Sequence, residues 1–243
     1  MSEQGKPQEN RARAARTDLT QGSPARSLLL FAFPLILGNL FQQFYNLMDT
    51  LIVGRFLGVD DLAAVGSTGS VNFLIIGFCM GVCNGFAIPL AHKFGAGDYK
   101  GMRGFMMNAI YLSAIFAVVM TIVTVIFCMP ILELMRTPEN IIDDAWMYIV
   151  IIFAGIPVTI LYNLTSAIIR AMGDSKTPVY FLVMSALLNI VLDLFCILVL
   201  KMGVAGAALA TVISQAISGI CCLVYMIRKY EILRMQGTEG KAD

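Results

Sequence analysis

Apolar residues run along this chain in six long segments, at about 27–54, 62–94, 104–129, 145–170, 178–200 and 203–228, separated by short polar stretches. Each has at least the roughly 20 residues that a helix rising about 1.5 Å per residue needs to cross about 30 Å of hydrocarbon. The runs are too long and too uniformly apolar for the alternating strands of a barrel, and a helix satisfies its own backbone in lipid. The pattern predicts an all-α membrane protein built as a six-transmembrane-helix bundle over residues 23–230.

The polar stretches carry start signals. Ser23-Pro24, Thr137-Pro138 and Thr177-Pro178 each put a hydroxyl before a proline, as expected of a capped helix start with proline at its first position. Residues 1–22 have no hydrophobic period and read as a flexible tail. They lack the apolar core and small-residue cleavage site of a secretory signal. Residues 231–243 read as a second polar tail.

Composition agrees with the bilayer as solvent. Apolar residues make up 58% of the chain and charged residues 14%, with a mean hydropathy of +0.78. The formal net charge of +1 hides an asymmetry. Lys6, Arg11, Arg13, Arg16, Arg26, Lys93, Lys100, Arg103, Arg170, Lys176, Arg228, Lys229, Arg234 and Lys241 fall on one side of the spans. Only Arg55, Arg136 and Lys201 fall on the other, with Asp60, Asp61, Glu133, Glu139, Asp143 and Asp144. By the positive-inside rule the chain sits in the cytoplasmic membrane with both termini in the cytoplasm. Orientation and contact with anionic headgroups account for the basic stretch Arg11–Arg16, and no nucleic-acid partner is expected.

The six cysteines lie in or at the ends of apolar spans and read as small buried apolar residues. The lone histidine, His92, has no nucleophile or metal-ligand set near it in sequence, so an enzyme is not expected and no cofactor is implied. Gly77, Gly81 and Gly85 recur every four residues on the second span, and Gly203, Gly206 and the alanines to Ala210 open the sixth. Tight helix contacts are expected at both.

Polar residues inside the spans carry the chemistry. Asn39, Gln42, Gln43, Asn46, Asp49 and Thr50 follow helical spacing on the first span, Ser185, Asn189 and Asp193 on the fifth, and Thr211, Ser214, Gln215 and Ser218 on the sixth. A carboxylate at membrane depth costs roughly 2.5–3.5 kcal/mol on insertion scales, so Asp49 and Asp193 should face a protein-lined or watery interior. Asp49 lies five residues before Gly54, Asp193 seven before Leu200 and Thr211 eight after Gly203, all near the outer ends of their helices. One shared layer in the outer half of the bilayer is expected. Two carboxylates with amide and hydroxyl oxygens suit Na⁺, a hard cation, and equally suit a proton. Polar stripes also join helices by hydrogen bonds, an alternative that applies above all to Asn39, Gln42, Ser214 and Ser218.

The run from Pro34 through Gly38-Asn39, Gln42-Gln43, Tyr45-Asn46 and Asp49 to Gly54, followed by Leu57-Gly58 and Leu62–Gly66, resembles the opening of multidrug and toxic compound extrusion (MATE) transporters. Gly95–Asp98, Arg170–Pro178 and Asn189–Asp193 extend the resemblance over about residues 25–232. It implies one lobe of a twelve-helix MATE-type transporter, a cation-coupled (Na⁺ or H⁺) antiporter exporting organic cations or drugs. By position it implies a cation site at Asp49, Asn189, Asp193 and Thr211, with the backbone carbonyl of Ala207. Pro34 corresponds to a proline where the first span bends, and Gln42, Tyr45 and Asn46 to residues lining or gating the cavity.

The chain departs from that family in length, since no second copy of the six-span pattern follows. It resembles an N-terminal lobe, and the implied partners are the bilayer, a small organic cation and a second six-helix lobe from the same gene product or a homodimer. A lipid-linked oligosaccharide flippase-like transporter and a non-transporting membrane partner or remnant are the alternative readings. The acidic pair favours cationic cargo over the flippase.

Overall fold

The computed structural model describes residues 24–233, and every regular element in them is helical. The order is α1 (Pro24–Phe56), α2 (Val59–Gly95), α3 (Tyr99–Leu134), α4 (Ile142–Ala154), α5 (Ile156–Ala171), α6 (Lys176–Leu194) and α7 (Gly203–Lys229). A π-helical turn, Phe195–Val199, extends α6, and a 3₁₀ turn, Glu231–Leu233, follows α7. The expected tail 1–22, its basic residues, Ser23, and residues 234–243 lie outside the described part.

Helices α2, α3, α6 with its π turn, and α7 are each long and apolar enough to cross a membrane. α4 and α5 together make a fifth span. α1, at 33 residues or about 50 Å, has the length for the sixth, and it differs from the others in the polar stripe along its middle. The outer faces are apolar, with Phe33, Leu40, Phe73, Ile115 and Leu187 all exposed, as a lipid-embedded bundle requires. Inside, Phe153, Leu90, Met102, Ile149 and Ile169 pack into one core that α2, α3, α4 and α5 share. Buried hydroxyls such as Thr68, Thr124 and Thr165 donate to carbonyls three or four residues back, so they need no partner helix.

The fourth span is broken where a continuous helix was expected. α4 and α5 meet at Gly155 with a bend of 46°. Pro157, in the first turn of α5, has no N–H to return to the Phe153 carbonyl, so the helix cannot run through. At the break α7 closes in, and a Cβ on Gly155 would lie 2.6 Å from Val212 Cγ2.

Two of the expected caps are also different. Thr137-Pro138 starts no helix, because the Pro138 carbonyl accepts from Ile141 N–H in a turn and α4 begins four residues later. Thr177-Pro178 lies inside the first turn of α6, whose free Lys176 and Thr177 N–H groups are taken by Asp174 Oδ1 at 3.2 and 3.0 Å. Asp174 is thus the capping residue of α6, and its negative charge suits the positive end of the helix.

The small-residue expectation holds on α7 and fails on α2. A Cβ on Gly206 would meet Cys196 Cβ at 3.0 Å and Met202 Cβ at 3.1 Å, so α7 approaches the end of α6 closely. On Gly77, Gly81 and Gly85 it would meet nothing within 4 Å. That face of α2 is open. Of the cysteines, Cys221 is exposed and the other five are buried.

Between α2 and α3, Asp98 caps α3 by accepting from Gly101 N–H at 2.9 Å and pairs with Lys93 at 2.8 Å. A Cβ on Gly101 would overlap that carboxylate, which is why glycine stands there. The hydrogen bond from Lys93 holds the Asp98 carboxyl below its ordinary value.

Asp174 fastens the far end of α7. Its Oδ2 accepts from Thr177 Oγ1 at 2.7 Å, Tyr230 OH at 3.0 Å and Lys229 Nζ at 3.2 Å. Burial pushes this carboxyl up, but the hydrogen bonds from Thr177, Tyr230 and Lys229 outweigh it and hold it below its ordinary value. Tyr230 and Leu233 are buried against the core, so the packed bundle runs to Leu233 rather than ending at 230.

Candidate cation site

A three-residue turn sets up the site. After the π turn, Lys201 and Gly203 take left-handed backbone angles (φ 53° and 59°), and α7 turns back along α6. The returning α7 packs along α6 and brings Thr211 opposite Asn189. Asn189 Nδ2 donates to Thr211 Oγ1 at 3.3 Å, and Ser214 Oγ donates to the Thr211 carbonyl at 2.9 Å. Asn189, Asp193, Ala207 and Ser214 are fully buried. The π turn begins two residues after Asp193, a distortion common beside functional residues.

α1 closes the site from a third side. Pro34, Gly38, Tyr45 and Asp49 are buried along one face of this helix, as are Ile52 and Val53 nearer its end, and a Cβ on Gly38 would lie 3.3 Å from Val179 of α6. That face brings the Asp49 carboxyl into side-chain contact with Asp193, and the Tyr45 phenol beside Thr211, Ser214 and both carboxyls. From α4, Tyr148 OH donates to Asp49 Oδ2 at 3.4 Å.

The site is left with acceptors lacking donors. Asp49 Oδ1, Asn189 Oδ1 and both Asp193 carboxylate oxygens are buried with no hydrogen-bond partner, as is Tyr45 OH. Unpaired buried polar atoms are costly, by about 1–3 kcal/mol each and more when charged. Four converging acceptor oxygens are what a proton or a hard cation such as Na⁺ needs, so the residues fit such an ion. The donors here are carboxylate, amide and hydroxyl oxygens, the ligand type that hard cations take.

Asp49, Asn189, Asp193 and Thr211 therefore converge, Tyr45 joins them, and Ala207 lies buried one turn before Thr211 on α7. Gln42 and Asn46 do not. They hydrogen-bond along α1, Gln42 Nε2 to Asn46 Oδ1 at 3.5 Å and Asn46 Nδ2 to Gln43 Oε1 at 3.4 Å, on the side facing out of the bundle. Pro34 is buried in the same helix, about 22 Å from Asp49 along the axis. On α7, Gln215 turns to Thr159 of α5 at 2.8 Å and Ser218 donates to the Phe181 carbonyl at 2.6 Å. Those two residues join helices. Tyr148 was not foreseen, because a tyrosine in an apolar run looks like any interfacial aromatic and its partner is 99 residues away.

Comparison with known proteins places the chain in a family. The MatE family model matches residues 34–195. Two probable multidrug resistance proteins of Bacillus subtilis (strain 168), YpnP and YoeA, are 34% and 36% identical to the chain over 93% and 88% of its length, and the matches cover 52% and 47% of theirs. A solved structure described as the outward-facing conformation of a multidrug resistance MATE family transporter of the MOP superfamily superposes with a TM-score of 0.83 at 27% identity. That match covers 91% of this chain and 49% of the other. The chain spans about half the length of the curated relatives it matches, with the fold of one lobe. It is a multi-pass membrane protein that belongs to the MATE family.

Proposed function

We propose that the chain is the N-terminal lobe of a cation-coupled antiporter that exports organic cations or drugs across the cytoplasmic membrane, with Na⁺ or H⁺ bound at Asp49, Asn189, Asp193 and Thr211. The observation that carries this reading is the set of four unpartnered acceptor oxygens at the meeting of α1, α6 and α7. An ion arriving there satisfies oxygens that are otherwise buried without donors, and leaves Asp49 and Asp193 with less mutual repulsion.

Ion occupancy then bears on α1. Asp49 touches both α4, by Tyr148, and α6, by Asp193. Pro34 deprives α1 of one backbone hydrogen bond, which lowers the cost of bending it. Loading the site draws α1 toward α6, and unloading lets its outward face, with Gln42, Gln43 and Asn46, change the shape of the cavity. Cargo moves by rocking this lobe against a second six-helix lobe. The names of the two Bacillus subtilis relatives support a drug-like cargo, and the acidic pair supports a cationic one. The charge asymmetry of the loops supports cytoplasmic termini.

The test is Asp193→Asn in the chain paired with its second lobe. The amide keeps the shape but carries no charge to exchange a proton or balance Na⁺. Efflux driven by a Na⁺ or pH gradient should be lost while insertion and abundance stay near those of the unmodified protein. Coupled efflux retained by Asp193→Asn would overturn the assignment.

A further inference from the structure

The end of the bundle opposite the cation site carries a groove that the transport reading does not use. It lies between the start of α6 and the end of α7, has a volume of about 540 Å³ and is open along one side. This falls within the roughly 300–1,000 Å³ of small-ligand sites. Phe181 of α6 forms one wall, and Ile220 and Cys221, with Val224 one turn later on α7, form the other. The Phe181 and Tyr225 rings meet edge to face at 5.7 Å beneath it.

The groove is apolar along its length and cationic at its mouth, where Arg228 and Lys229 stand. Lys229 is held in place by Asp174 and by Tyr225, whose ring centroid lies 5.0 Å from its ammonium. Arg228 is exposed and has no hydrogen-bond or ion-pair partner among the described residues. The exposed Lys176, at the start of α6, adds to the same field. Basic residues at the end of a membrane helix attract anionic lipid headgroups.

We propose that this groove is a binding site for an anionic phospholipid, with one acyl chain along Phe181, Ile220 and Val224 and the phosphate held by Arg228 and Lys229. The apolar walls and the cations sit in the order in which a lipid presents its tail and its headgroup across the interface. A zwitterionic lipid would fill the walls equally well but would bring its own cation to Arg228.

The chain has a single tryptophan, Trp146, in α4. Trp146→Phe with Val224→Trp therefore places the one indole of these 243 residues in the groove, where brominated phospholipids report occupancy by quenching. In vesicles of mixed composition, brominated phosphatidylglycerol should quench with a several-fold higher relative binding constant than brominated phosphatidylcholine. Arg228→Gln should bring the two lipids close to equal while quenching by phosphatidylcholine persists, which shows that the variant is still folded in lipid. Equal quenching by both lipids before the change, a preference that survives Arg228→Gln, or quenching by neither lipid would each overturn the proposal.

Discussion

The Tyr148 hydroxyl donates to Oδ2 of Asp49 at 3.4 Å, tying the broken fourth span to the first helix at the residue that also faces Asp193. It is the hydrogen bond that this carboxylate receives, since Oδ1 has none. Tyr148→Phe leaves both oxygens without a donor in the absence of an ion. The expected cost is about 1–3 kcal/mol of stability, read as a lower melting temperature in detergent, with part of the loss recovered on adding the coupling ion. An unchanged melting temperature would show that the bond contributes nothing.

The break at Gly155 has a steric signature. Gly155→Ala puts a Cβ 2.6 Å from Val212 Cγ2, and the expected loss is about 1–3 kcal/mol. Val212→Ala in the same chain should restore most of it, because it removes the methyl that collides, and a double-mutant cycle measures the coupling. Gly81→Ala, which meets nothing within 4 Å, should leave the stability of this lobe within about 1 kcal/mol of the unmodified chain, with alanine favoured in a helix interior.

The Asp174 clasp predicts acid sensitivity. Its folded-state pKa lies below its unfolded value of about 3.9, so the stability it lends is fully present above that value and is lost as pH falls through the folded-state pKa. Hydrogen-exchange protection of the Tyr230 and Leu233 amides, which bond to the Met226 and Tyr230 carbonyls, should fall as the clasp is titrated. In Asp174→Asn the protection should be lower at neutral pH and insensitive to acid over the same range. Equal protection in both proteins at neutral pH would remove the clasp from the account.

Orientation is tested by labelling. In a background without native cysteines, a cysteine replacing Asp143 in the first turn of α4 should react with an impermeant thiol reagent outside intact cells, and one replacing Lys100 at the start of α3 should not. The reverse pattern would place the acidic loops in the cytoplasm and overturn the reading of the charge asymmetry.

How far the primary structure reaches is clear from particular residues. Long apolar runs specify membrane helices, because a chain in hydrocarbon has few other ways to satisfy its backbone, and so the all-α lobe was legible without coordinates. Asp49, Asn189, Asp193 and Thr211 were legible as candidates for a related reason: an ionisable or polar group at membrane depth is costly enough to need company, and similar distances from helix ends imply a common layer. Spacing could not say which side of a polar stripe turns inward. Asn46 and Asp49 sit three residues apart on α1, yet the first faces out and the second into the site, because the packing of Gly38 against Val179 sets the rotation of the helix. The bend at Gly155, the open glycine face of α2 and the bond from Tyr148 to Asp49 were likewise decided by neighbours far away in the chain. Local preference determines which segments become helices, and only contact between helices determines which atoms meet.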